Sequence, residues 1–170
     1  IRTWFHASAG GLTATAKEGL NYREAEPPYI QSVRSPDDLA PPEVQNWTVS
    51  FPRAMVMDAL GKMGQKVDAI DSVEIGRKGP SGRALILAFN KNVQVSAPDF
   101  RVQVGSADLK STLLDGVSVQ GDRVNFSGRG YGHGVGLSQW GANKMAREGR
   151  KPEEIITHYF PGVTLEKRWQ

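Results

Sequence analysis

One histidine of this chain stands between two glycines. In 127-SGRGYGHGVGLSQWGA-142, glycine occupies positions 128, 130, 132, 134 and 136, and Arg129, Tyr131, His133 and Val135 alternate with them. The segment therefore offers a guanidinium, a phenol and an imidazole from a backbone that lacks every second side chain. Imidazole can donate or accept a proton near neutral pH. Guanidinium matches the geometry of carboxylates and phosphates. Ser138, Gln139 and Trp140 follow directly and add a hydroxyl, an amide and an indole. That set suits a sugar site, where polar groups bond the hydroxyls and an aromatic ring covers the apolar face.

A phosphate cradle is the obvious competitor, and the spacing argues against it. A dinucleotide fingerprint needs G-x-G-x-x-G and a P-loop needs G-K-[ST]. Here the third fingerprint glycine would fall on His133 or Leu137, and no Lys-Ser/Thr follows. In an extended chain, alternate residues point to opposite faces. Glycine at every second position would leave one face as bare backbone, open to a packed strand or a flat ligand. So many glycines cost chain entropy, which favours a ligand. The expectation is that Gly134, nearest His133 and Ser138, serves a ligand, and that Gly128 serves packing. The candidate binding set is Arg129, Tyr131, Gly132, His133, Gly134, Ser138 and Gln139.

Elements must hold this run in place. Thr3–His6 reads as a strand leading into Gly10-Gly11. Residues 24–46 contain a dense cluster of prolines and read as a Pro-rich loop or arm. Trp47–Phe51 alternates as a strand, and 53–64 has helical spacing between Pro52 and Gly64. Ile70–Ile75, Arg83–Phe89 and Asn92–Ser96 read as strands, with a turn at 77–83 and a short helix over 98–105. Val117–Val119 and Arg123–Phe126 form a predicted hairpin that runs into the glycines. Ser138 is placed to cap a helix that Gly149 stops. A second C-terminal helix starts at Pro152 and ends before Pro161. The fold class is α+β, mixed, with a β-rich middle, a Pro-rich arm and C-terminal helices clustered over 127–162.

The 170 residues are 39% apolar and 23% charged, with a net charge of +3. This is the composition of an ordinary globular chain. The basic residues are dispersed, with no block of the kind that marks a nucleic-acid tail, and nucleic acid is not an expected partner. No cysteine is present, so neither a disulfide nor a thiolate site can form.

The glycine–histidine run, together with the following KMAREGRKPEEIITHYFPGV, resembles the C-terminal signature of the SpoIID/LytB family. Three further pieces agree in order. They are 5-FHASAGGLTATA-16, 81-SGRALILAF-89 and 110-KSTLLDG-116, so the resemblance runs over nearly the whole chain. It implies a single SpoIID-like domain over 1–170, expected to lack its N-terminal part. It also implies a lytic transglycosylase that cleaves peptidoglycan strands between N-acetylmuramic acid and N-acetylglucosamine and leaves 1,6-anhydro-muramyl ends. The implied alternative is a non-catalytic LytB-like protein that binds glycan and enhances a cell-wall amidase. A third class is a structural wall protein.

The family's catalytic glutamate lies upstream of its His–Gly-Gly segment, and nothing in this chain matches it. The catalytic residue is therefore unknown. Glu18, Glu24, Glu26 and Glu43 follow that segment and are expected to be surface acids. The missing part would precede Ile1 or exist as a separate N-terminal fragment, which would then be a partner. Such a segment could also anchor the protein, and the expected location is extracytoplasmic, at the wall or membrane. Some family members hold zinc with a histidine and cysteines. His6 stands at the histidine position, but without cysteines no zinc, other metal or cofactor is expected. His6 is expected to be hydrogen-bonded and partly buried. His158 is expected on a helix face or in the core.

Overall fold

Apolar side chains gather in two clusters, and the glycine run leads from one to the other. The computed structural model describes residues 1–166 and 168. The first cluster is built by two antiparallel three-stranded sheets. One has the order β2 (Trp47–Pro52), β7 (Arg123–Gly128), β6 (Leu114–Gln120), and the other β3 (Val73–Lys78), β4 (Ala84–Phe89), β5 (Val93–Ser96). Helices α3 (Arg53–Lys62) and α4 (Ala97–Val104) complete it, around Phe51, Leu60, Leu87, Phe89, Phe100 and Phe126. Burial of these large apolar side chains is the main stabilising term, at about 1.5–3 kcal/mol each.

The second cluster joins α5 (Gln139–Arg147) and α6 (Pro152–Tyr159) to the N-terminal segment and the proline-rich stretch, around Ile30, Val135, Met145, Ile155, Tyr159 and Phe160. Among the described residues its only regular strand pairing is parallel and two residues long. In it β1 (Phe5–His6) lies beside β8 (Leu137–Ser138), with His6 opposite Ser138. The mixed α+β class read from the sequence is the architecture observed.

Most element boundaries follow local chemistry. Ser96 caps α4 by accepting the Asp99 N–H, and Ser138 caps α5 by accepting the Gly141 N–H. Gly149, with φ +86°, stops α5, and Pro152 opens α6 with Glu153 and Glu154 in its first turn.

One expectation needs correction, one helix adds to the reading, and one irregular stretch proves to be anchored. The strand placed at Ile70–Ile75 begins instead at Val73 and runs to Lys78, into the segment read as a turn. Pairing with β4 decides this, because two bulges in β3 and a tight turn closed by Gly79 N–H to Arg83 O let it continue to Lys78. Helix α1 (Ala16–Leu20) was not anticipated. It carries a capping box in which the Thr15 hydroxyl accepts the Glu18 N–H and the Glu18 carboxylate accepts the Thr15 N–H. The stretch 24–46 is irregular apart from α2 (Pro42–Gln45), yet it is tied down. Thr13 N–H donates to Val33 O and Ser35 N–H to Gly11 O. Among the described residues no helix is long and apolar enough to cross a membrane.

Candidate functional site

The glycine run is not an extended strand beyond Gly128. Gly130, Gly132, Gly134 and Gly136 have φ of +76°, +110°, +82° and +73°. The chain therefore winds through left-handed residues, which only glycine adopts cheaply. The alternation encodes backbone shape, not a flat bare face.

Each turn of this winding is stitched to a different part of the chain. Gly130 N–H donates to Val44 O, Gly132 N–H to Lys110 O, and Leu137 N–H to Trp4 O. Gly134 O accepts the Ala14 N–H, and Tyr131 exchanges both backbone bonds with Ser8.

The bare positions are filled by the protein itself. A Cβ on Gly128 would stand 2.7 Å from the Trp47 ring, and one on Gly132 would stand 2.6 Å from His6 Cβ. One on Gly134 would enter the Arg83 guanidinium. Packing was expected at Gly128 and is found there. The expectation that a ligand uses the open side of Gly134 is not met, because Arg83 occupies that space.

Arg83 is fully buried. Its guanidinium donates to Leu12 O at 3.0 Å and Ala9 O at 2.8 Å. Burial lowers its pKa to about 10, opposed by the charges of Glu18 and Asp37, so it stays charged at neutral pH. Glu18 is a correction, since it is buried and not a surface acid. One carboxylate oxygen accepts the N–H and hydroxyl of Ser81, both at 2.9 Å, and the other accepts the Thr15 N–H at 3.2 Å. Glu26 is half-buried and accepts the Ala16 and Lys17 N–H groups at the start of α1, whereas Glu24 and Glu43 are exposed, as expected.

Asp37 is the third buried charge. It accepts the Ser138 hydroxyl at 2.6 Å, the Ser35 hydroxyl at 2.9 Å and the Gly11 N–H at 3.3 Å. Ser138 is completely buried. Its oxygen also accepts the Ala9 and Gly141 N–H groups. The hydroxyl expected to meet a sugar is thus spent on the fold. Gln139 is exposed, Trp140 and Tyr131 are half-buried, and Arg129 is exposed and paired with Asp115 at 3.3 Å. Arg129 lines an open cleft of about 420 Å³ with Ser8, Gly10, Asp37, Asp38 and Asn46.

The structure brings together two histidines that lie far apart in sequence. The rings of His6 and His133 are 5.6 Å apart. The backbone of one residue fixes both tautomers. Val135 N–H donates to His133 Nδ1 at 3.0 Å, so that nitrogen is unprotonated. Val135 O lies 3.1 Å from His6 Nδ1, which must carry its proton to donate there. His6 Nε2 is left buried as an unprotonated acceptor with no partner among the described residues. Burial is the main cause that lowers the His6 pKa to about 3, helped by the charges of Arg83 and His133. Burial also lowers that of His133 to about 4, helped by Arg101 and then Arg83. His6 is hydrogen-bonded and buried, as read. His158 is half-buried on α6, with Nε2 2.7 Å from Arg34 O. Among the described residues, no three His, Asp or Glu side chains are grouped to share a metal ion.

A measurable pH dependence follows. Both folded-state pKa values lie below the unfolded value near 6.5. The unfolded chain therefore binds more protons below that pH, and stability falls as pH drops from about 6.5 towards 4 and 3. Two protons give a slope of up to about 2.7 kcal/mol per pH unit. Urea unfolding between pH 7 and 4 should show this loss, and the imidazole NMR signals of both residues should not titrate above pH 5. Normal titration near 6.5 would overturn the buried, neutral pair.

Several groups that hold the site escaped the sequence reading. The capping pattern 15-TAKE-18 was visible and marks Glu18. The Arg of 81-SGR-83 was noticed only as part of a resemblance. Asp37 carries no distinctive local signal, because only Ser35 lies near it in sequence and its other partners, Ser138 and Gly11, are distant.

No protein-family model matches the chain. Curated relatives do. The chain is 30% identical over 98% of its length to stage II sporulation protein D of Bacillus subtilis (strain 168), covering 46% of that protein. It is equally similar to the protein of the same name from Bacillus amyloliquefaciens, covering 45% of it. A shorter match, 37% identical over 73 residues, reaches the amidase enhancer of Bacillus subtilis, across 43% of this chain and 10% of that protein. The chain thus spans about half the length of the stage II sporulation proteins it matches. Similarity along almost all of its residues, with a glycine–histidine run that meets the His–Gly-Gly segment in space, makes this chain similar to part of the stage II sporulation protein D and amidase enhancer proteins, consistent with the SpoIID/LytB family.

Proposed function

We propose that this chain is the glycan-holding part of a peptidoglycan lytic transglycosylase, acting outside the cytoplasmic membrane. The reaction cleaves between N-acetylmuramic acid and N-acetylglucosamine. It needs one carboxylic acid to protonate the glycosidic oxygen. The conjugate base then takes the proton of the muramyl C6 hydroxyl as that oxygen attacks C1. The nucleophile belongs to the substrate, so a second carboxylate is not required.

The observation that carries this reading is the convergence of the four family-like segments on one place. Residues 5–16 pair with the glycine run, Arg83 lies beneath both, and Lys110–Leu113 flanks the run through bonds to Gly132 and Arg129. The buried acids there cannot serve as the catalytic acid, because Glu18 and Asp37 already accept several hydrogen bonds each. In this reading the acid comes from protein outside residues 1–170. This chain supplies part of the glycan-holding surface, where Gln139 is exposed and Tyr131 and His133 are half-buried.

This chain alone should therefore release no 1,6-anhydro-muramyl products from purified glycan strands, whereas the full-length protein should. Mass spectrometry of both digests is the test, and abundant anhydro ends from the chain alone would place the acid within it. The stretch similar to an amidase enhancer supports a second reading. A full-length protein that makes no anhydro ends, but accelerates a wall amidase on the same strands, would establish that one instead.

A further inference from the structure

An apolar groove of about 500 Å³ opens where residues 1–5 and 160–166 come together, lined by Trp4, Phe5, Leu137, Ile156, Phe160 and Leu165 among others. Ile1, Phe5 and Leu165 around it are 85%, 66% and 42% exposed. They are three of the five large apolar side chains exposed among the described residues. Apolar residues scattered singly over a surface need no explanation, but a patch of them marks a contact. A neighbouring depression of about 470 Å³ continues the surface past Ile1 and Val163 to Tyr29.

The rim narrows what can cover it. Arg2 donates to the Tyr22 hydroxyl and lies over the Trp4 ring, and Arg168 is paired with Glu166. A lipid surface draws on clusters of free basic residues, and these two are engaged. Chain length favours another occupant. The stage II sporulation proteins carry more than half of their residues outside the matched region. Polypeptide joined at either end of residues 1–170 would start within a few residues of this groove, because both ends form its walls. Tethering gives a segment an effective concentration of about millimolar, so a modest apolar contact is enough to hold it.

We propose that this groove is the seat of another part of the same full-length protein, which packs apolar side chains against Phe5, Ile156, Phe160 and Leu165. The inference goes beyond the glycan reading and does not need it. It also puts that part close to the histidines. Phe5 precedes His6, whose ring lies 5.6 Å from that of His133, so a segment seated on Phe5 is one residue from the pair.

Site-specific alkylation tests it, since residues 1–170 contain no cysteine and an exposed thiol reacts according to its access. Phe5→Cys, Leu165→Cys and, as control, Val102→Cys are made singly in the full-length protein and in residues 1–170. Val102, on α4, is 62% exposed, close to Phe5. Labelling by iodoacetamide is followed by mass spectrometry of the peptide that carries each thiol. In the full-length protein, positions 5 and 165 should react at least tenfold more slowly than position 102. In residues 1–170 all three should react at similar rates. Similar rates at all three positions of the full-length protein overturn the proposal. They leave the glycan reading untouched, because no glycan enters the assay. Protection within residues 1–170 that grows with protein concentration would assign the groove to a second copy. Protection that needs added phosphatidylglycerol vesicles would assign it to lipid. Either result overturns the proposal. All three substitutions fall at exposed positions, and the comparison within the full-length protein decides the matter even where residues 1–170 are unstable alone.

Discussion

Arg83→Met should lower the melting temperature by roughly 10 °C, the largest loss expected from a single change. The guanidinium is fully buried and donates to the carbonyls of Ala9 and Leu12. Methionine fills much of the volume but donates nothing, so two buried oxygens lose their charged partner. Glu18 and Asp37 keep their negative charges with the compensating cation gone. Removing one side of such a buried arrangement costs about 3–5 kcal/mol, and for a chain of this size each kcal/mol moves the melting temperature by about 2–4 °C. Arg83→Lys should recover only part of the loss, since one ammonium cannot reproduce the planar fork that spans two carbonyls. Calorimetric melting of the three proteins checks the order. A methionine variant that melts within 2–3 °C of the original would show that the carbonyls find water and that the guanidinium is dispensable.

Gly134→Ala should cost about 2–4 kcal/mol. Overpacking contributes about 1–3 kcal/mol, and a side chain forced into left-handed φ adds about 1–2 kcal/mol. Gly134 has φ +82°, and its added methyl would enter the guanidinium of Arg83. The loss should appear as stability, and the folded fraction should bind glycan as before. An unchanged melting temperature with weakened glycan affinity would instead restore the ligand role expected from the sequence. The two positions touch, so their effects should not add. In the double variant Arg83→Met Gly134→Ala, the methyl meets a flexible thioether where a pinned cation stood. The combined loss should fall short of the sum of the single losses by about 1 kcal/mol.

Much of the fold was legible because it depends on local patterns. Ser138 capping α5, Gly149 ending it and Pro152 opening α6 are decided within a few residues of each position. The hairpin of β6 and β7 follows from alternation over a short loop. Where pairing across distance sets the boundary, the reading slipped. Strand β3 starts at Val73, not Ile70, because its partner β4 and two bulges fix the register. Helix α1 carries only five residues, too few for a periodic signal, although its capping box was written in Thr15 and Glu18.

The sequence by itself determined that a glycine–histidine run closes the β-rich middle, and the family resemblance implied that the run belongs with 5–16, 81–89 and 110–116. It also determined that the winding is possible, since only glycine tolerates four left-handed residues so close together. The tertiary structure alone decided what each glycine is for. His6 fills the space at Gly132 and Arg83 the space at Gly134, from positions more than fifty residues away. It also decided which polar groups are free. Ser138, Glu18 and Asp37 have the same chemistry in the sequence as any exposed hydroxyl or acid, but burial obliges each to find partners inside the protein. Those partners are brought near by the fold, not by spacing along the chain. Val135 shows the limit most plainly. In the sequence it is one apolar residue among glycines, yet its N–H and C=O set the tautomers of both site histidines, because packing places one ring at its N–H and the other at its C=O.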